Sequence, residues 1–239
     1  MTSCDCVLVP SRSGGRPWPA FPLVFETTVA KHFPSPGRNA DGSVRAMETT
    51  PAPDDSTRLE ALANRAKGYA LHMMRTTGSV PPTVIADTAE GYVFCIPNGM
   101  PDEAAKDRFA DAARLLAVAH DARAIVLVVE SWVRLAAPGG QLDTSIPPSQ
   151  APDRQEMVVL MLEDGKRCAN TFLPITRDVF GKFAEFGEGP APMFTATAGR
   201  FSGLMPKRPQ GAREVAAAKA ALRAMGMCVV NRGFDPSMN

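Results

Sequence analysis

A single carboxylate interrupts the most apolar run of the chain. Glu130 lies within Ala124–Val133, preceded by Val129 and followed by Ser131-Trp132. Strand side chains alternate between faces, so Val128, Glu130 and Trp132 share one face. A polar loop over 136–153 follows, with three prolines near its end, and then Asp153, Arg154 and Glu156 stand at the mouth of a second apolar run. If the two runs are neighbouring strands, Glu130 and Glu156 approach one region with Arg154 between them. Paired carboxylates can do acid–base work or hold a cation, which makes Glu130, Glu156 and Arg154 the catalytic candidates. A structural reading competes: an unpaired buried carboxylate costs several kcal/mol, so Glu130 needs a partner. Arg154 is the expected one, in a bridge that pins the loop, and Arg134, on the face of Glu130, is its rival. Trp132 reads either as core, its indole N–H satisfied by a loop carbonyl, or as the lining of a binding groove.

Other chemistry finds no complete set. Gly165-Lys166 lacks the earlier glycine that a phosphate-cradling loop requires. Gly199 to Gly203 places Ser202 fourth rather than third, so it is no nucleophile elbow. His32 falls in the proline-rich start, His72 in a helix, and His120 at a helix end, where its cation would favour the negative pole of the dipole. No serine or cysteine has an identifiable His–Asp set. Cys4-x-Cys6 has no second pair, and Cys95, Cys168 and Cys228 sit in apolar stretches, which reads as small buried hydrophobes rather than a disulfide frame or a zinc site. No metal and no cofactor is expected.

The elements that must position these residues follow from periodicity. Thr57 and Glu60 have capping-box spacing, and Leu59, Leu62, Ala66, Tyr69 and Met73 form one helical face, which predicts a helix over 57–76 ended by Gly78 and Pro81-Pro82. Thr83–Thr88 and Tyr92–Ile96 read as a hairpin. A helix over 102–121 buries Phe109, Ala112, Ala113, Leu116 and Ala119. The continuous apolar run Ala124–Val133 predicts a central strand covered on both faces. Glu156–Leu162 and Lys166–Leu173, joined at Asp164-Gly165, predict a second hairpin. Asp178–Phe186 reads as a short helix with Val179, Phe180 and Phe183 inward, Phe194–Thr197 as a strand, and Gly199–Gln210 as loop. Arg213–Met225 reads as a helix stopped by Gly226, and Met227–Val230 as a last strand. This order predicts an α+β domain, a mixed and mostly antiparallel sheet with helices packed on it.

Residues 57–239 make that single domain. Residues 1–56 are rich in proline and glycine without helical period, the signature of a disordered arm, and a start at Met47 would remove most of it. The domain can bury a sizeable core, since 45% of the 239 residues are hydrophobic. The formal charge of +1, from 26 basic and 25 acidic residues, supplies no long-range field for nucleic acid or an anionic membrane. The longest apolar runs fall far short of the roughly 20 residues of a spanning helix, and Val7–Val9 is too short for a secretory core. A cytoplasmic location is expected, with no membrane partner.

The stretch over 105–165 resembles a group of small uncharacterised bacterial and bacteriophage α/β proteins. The resemblance rests on Ala124-Ile-Val-Leu-Val-Val-Glu130-Ser-Trp132 and on Pro147-Pro-Ser-Gln-Ala-Pro152-Asp-Arg154-Gln-Glu156. That group has no established activity, so the resemblance implies a bacterial origin and a unified domain. Two functions remain: an interaction protein, such as an accessory protein of a bacterium or mobile element with a protein partner, and a carboxylate-based or metal-assisted hydrolase using Glu130 and Glu156. Carboxylates converging in an open pocket without a saturating arginine would favour the enzyme. Bridged and buried ones would favour the interaction protein.

Overall fold

Short turns join most of the β-branched runs, so each run pairs with a sequence neighbour and the sheet grows as antiparallel hairpins. The computed structural model describes residues 23–25, 55–135, 145–190 and 199–230. In chain order its elements are β1 (Leu23–Phe25), α1 (Asp55–Thr77), β2 (Thr83–Thr88), β3 (Gly91–Ile96), α2 (Glu103–Ala119), β4 (Ala124–Leu135), β5 (Gln155–Asp164), β6 (Cys168–Arg177), β7 (Phe183–Phe186), α3 (Ala212–Ala224) and β8 (Cys228–Val230). The sheet runs β7-β6-β5-β4-β2-β3-β8, and every neighbouring pair in that order is antiparallel. β1 joins it in parallel, against Val133–Leu135 at the far end of β4. This is the expected α+β arrangement, one mostly antiparallel sheet with helices packed on it.

Both faces are covered. On one, Leu62, Ala66 and Met74 of α1 pack on Val126, Val128, Val158 and Leu160. On the other, Phe109 and Leu116 of α2 pack with Ile125, Leu127, Val129 and Val159, and Ala218 and Leu222 of α3 join that layer. β4 feeds the two layers alternately, which is why its sequence is continuously apolar. α2 begins at Asp102, whose carboxylate accepts the Ala105 N–H at 2.7 Å. The segment after Gly199 is tied to this layer by Glu163, which accepts the N–H groups of Leu204 and Met205.

Several elements depart from the periodicity reading. α1 begins at Asp55, so Thr57 lies inside the helix rather than at its cap. Asp178–Phe186 is not a helix: Asp178 to Lys182 is a tight turn leading into β7, and Val179 and Phe180 point to solvent at 93% and 83% exposure. β6 runs through Pro174 to Arg177 instead of stopping at Leu173. The Pro174 carbonyl accepts from the Gly187 N–H, so its nitrogen also faces outward and the ladder to β5 loses no donor. Of the arm expected over 1–56, Leu23–Phe25 is a paired strand and Asp55 opens α1, while most of it lies outside the described residues, as do Phe194–Thr197, His32, Cys4 and Cys6. His120 caps α2, yet burial, then Lys219, lowers its pKa, which opposes the cationic role expected at the helix end.

Candidate functional site

β4 and β5 pair with Trp132 opposite Glu156 and Glu130 opposite Val158. Directly opposite residues share a face, so Glu130, Trp132 and Glu156 project together on the α1 side. The sequence reading placed these three in one region, and the register brings them there. The arginine differs. Arg177, at the end of β6, grips both oxygens of Glu156, with Nε at 2.8 Å and Nη2 at 2.5 Å. The same Nη2 lies 3.9 Å from a Glu130 oxygen, and Nη1 donates to the Gly181 carbonyl at 3.3 Å. One guanidinium therefore ties β4, β5 and the β6–β7 turn together.

Glu130 is compensated differently from the expectation. Its second oxygen accepts the Val80 N–H at 2.8 Å, in the link between α1 and β2. Neither Arg154 nor Arg134 supplies the partner. Arg134 forms a fork on Asp153 at 2.8 and 3.2 Å. Arg154 lies with its guanidinium 4.7 Å over the Trp132 ring and donates to the Ser149 carbonyl at 2.6 Å, so it pins the loop as expected, but from the indole face. Trp132 is half-buried under that arginine, an arrangement between its two sequence readings.

Glu130 is held above its ordinary carboxylate pKa, mainly by burial. The Val80 N–H and Arg177 pull the value down, while the charge of Glu156 and a hydrogen bond with its carboxyl group push it up. The side chains are only 16% (Glu130), 20% (Glu156) and 30% (Arg177) exposed, a setting in which an uncompensated carboxylate is costly.

Such a set could pass a proton, as carboxylate dyads do, but three of its four oxygens already accept a hydrogen bond, two from Arg177 and one from the Val80 N–H. Among the described residues no three His, Cys, Asp or Glu side chains gather closely enough to hold a metal ion. Cys95, Cys168 and Cys228 are not joined in disulfides, and burial pushes the Cys95 thiol up to about 12, far from a reactive thiolate. Sequence reasoning missed Arg177 because Pro174 read as a strand end. The available signal was the alternation Leu173, Ile175, Arg177, which continues one face of β6 past the proline. No family model, curated protein or solved structure matches the chain.

Proposed function

We propose that this chain is a non-enzymatic interaction protein, an accessory protein of a bacterium or mobile element, acting in the cytoplasm on a protein partner. The observation that carries this reading is the arginine: Arg177 occupies both Glu156 oxygens and stands beside Glu130. A carboxylate pair spent on holding the β6–β7 turn is a scaffold, and what it holds is an exposed Val179-Phe180 pair. Solvent-facing aromatic anchors on rigid turns are a common basis of protein recognition. Among the described residues no helix is long and apolar enough to cross a membrane. The alternative, a carboxylate-based or metal-assisted hydrolase using Glu130 and Glu156, draws on the raised pKa of Glu130 beside a second carboxylate.

The test is capture of partners from the encoding organism with the full chain as bait, followed by reconstitution with the purified partner. Val179→Asp with Phe180→Asp should abolish binding, and Glu130→Gln should leave it intact. Binding that survives the double substitution would refute the assignment of the contact surface. Hydrolytic turnover by the purified chain that Glu130→Gln abolishes would establish the enzyme instead.

A further inference from the structure

The two margins of the sheet are unlike each other and complementary. At the β7 margin, the turn Asp178–Lys182 is built stiffly: the Asp178 carboxylate accepts from the Phe180 and Lys182 N–H groups, both at 2.9 Å, and the Asp178 N–H reaches the Lys182 carbonyl at 2.8 Å. It presents Val179 and Phe180 almost wholly to solvent. At the β8 margin, a cavity of about 500 Å³ opens between α3 and β8, with Leu222, Met227 and Val229 as its apolar surface. A cavity of this size falls within the range that takes compact apolar groups, and it is roomy enough for a phenylalanyl and a valyl side chain together.

Charge distinguishes the two margins as well. Lys219 and Arg223 line the cavity one helical turn apart, and among the described residues neither meets a carboxylate in an ion pair. Like charges at this spacing repel, so an acidic partner would relieve them. The tip is flanked by Asp178 and Glu185, both exposed, while Lys182 beside it matches Glu90 at the cavity wall. Exposed large hydrophobics among the described residues are Ile146, Val179, Phe180 and Val229. A tip-to-cavity contact would cover three of these four.

We propose that the Val179–Phe180 tip of one copy seats in the Leu222–Met227–Val229 cavity of a second copy, with Lys219 and Arg223 facing Asp178 and Glu185. The contact joins two different surfaces, so each added copy leaves one tip and one cavity open. Association then proceeds head to tail, into open chains or a closed ring, rather than stopping at a twofold dimer. The inference rests on the interaction reading in one respect, that the β6–β7 turn is a contact surface.

Sedimentation velocity of the full chain, over a series from low micromolar to near-millimolar concentration, tests it. The native chain should associate progressively. Phe180→Asp alone, and Lys219→Glu with Arg223→Glu, should each weaken association by at least about tenfold. All three positions are exposed, so these variants should fold. Mixed in equal amounts, the two variants should form a one-to-one complex that grows no further, since one retains only a cavity and the other only a tip. A native chain that stays monomeric overturns the proposal, as does a cavity variant that dimerises alone, which would mean tip-to-tip pairing. A monomer that loses its captured host partner on Phe180→Asp overturns the self-contact and leaves the interaction reading standing. A monomer whose partner binding ignores Phe180→Asp overturns both.

Discussion

Glu130 carries a cost that Arg177 only partly offsets. Its pKa is raised in the fold, chiefly by burial, relative to roughly 4.3 in an unfolded chain. The folded state therefore holds the proton more tightly than the unfolded state. That contribution to stability is fully present below the unfolded value and is lost as pH rises through the raised folded value. Thermal melts in a pH series should show this decline, and Glu130→Gln should flatten it. A glutamine amide oxygen still accepts from Val80, and its amide nitrogen can donate to Glu156 without needing a proton. A variant that melts lower than the native chain at pH 8, with the same slope, would contradict the assignment. Arg154 makes the opposite case: exposed, stacked on Trp132 and bonded to one carbonyl, it should cost less than about 1 kcal/mol on Arg154→Ala, measured by urea unfolding. The need for a partner at Glu130 was legible from one charge in an apolar strand. The partner's identity was not, because Val80 donates through a backbone group that no side-chain pattern reports, and Arg177 lies on a strand away in sequence.

The elements divide by how much of their conformation is local. The helices and the β2–β3 and β5–β6 hairpins were readable because helical period, alternation and turn residues agree there. The β6–β7 turn was not, because Asp178-Val-Phe-Gly-Lys-Phe has apolar residues at helix-like spacing while its conformation is decided by two features outside that pattern. One is the Asp178 side chain, which satisfies two N–H groups of the turn. The other is Gly181, at φ +75°, where a side chain is strained although nothing stands within 4 Å of an added Cβ. Gly181→Ala should therefore destabilise by about 1 kcal/mol through backbone strain alone, without loss of any contact. Denaturant titration checks this, and an unchanged midpoint would mean that the turn adopts another form. α1 was placed two residues late because Thr57 has the composition of a cap, but the helix already includes Asp55.

The described residues form one sheet with a helix on one face and two on the other, and their two cores draw on residues from Leu59 onward. Of the described residues, a chain beginning at Met47 lacks β1, three residues beside the end of β4. It should unfold in a single cooperative transition, melting within a few degrees of the full chain. A broad or split transition would show that β1 supports the β4–β5 end more than its length suggests. That end carries Trp132, Glu156 and the Arg177 clamp, and a scaffold for the exposed turn requires the clamp to be structural. A double-mutant cycle in urea with Glu156→Gln and Arg177→Ala measures this directly. Arg177→Ala should destabilise clearly, the double variant should lose much less than the sum of the single losses, and the coupling should be about 1–2 kcal/mol. Additive losses, within about 0.5 kcal/mol, would contradict it.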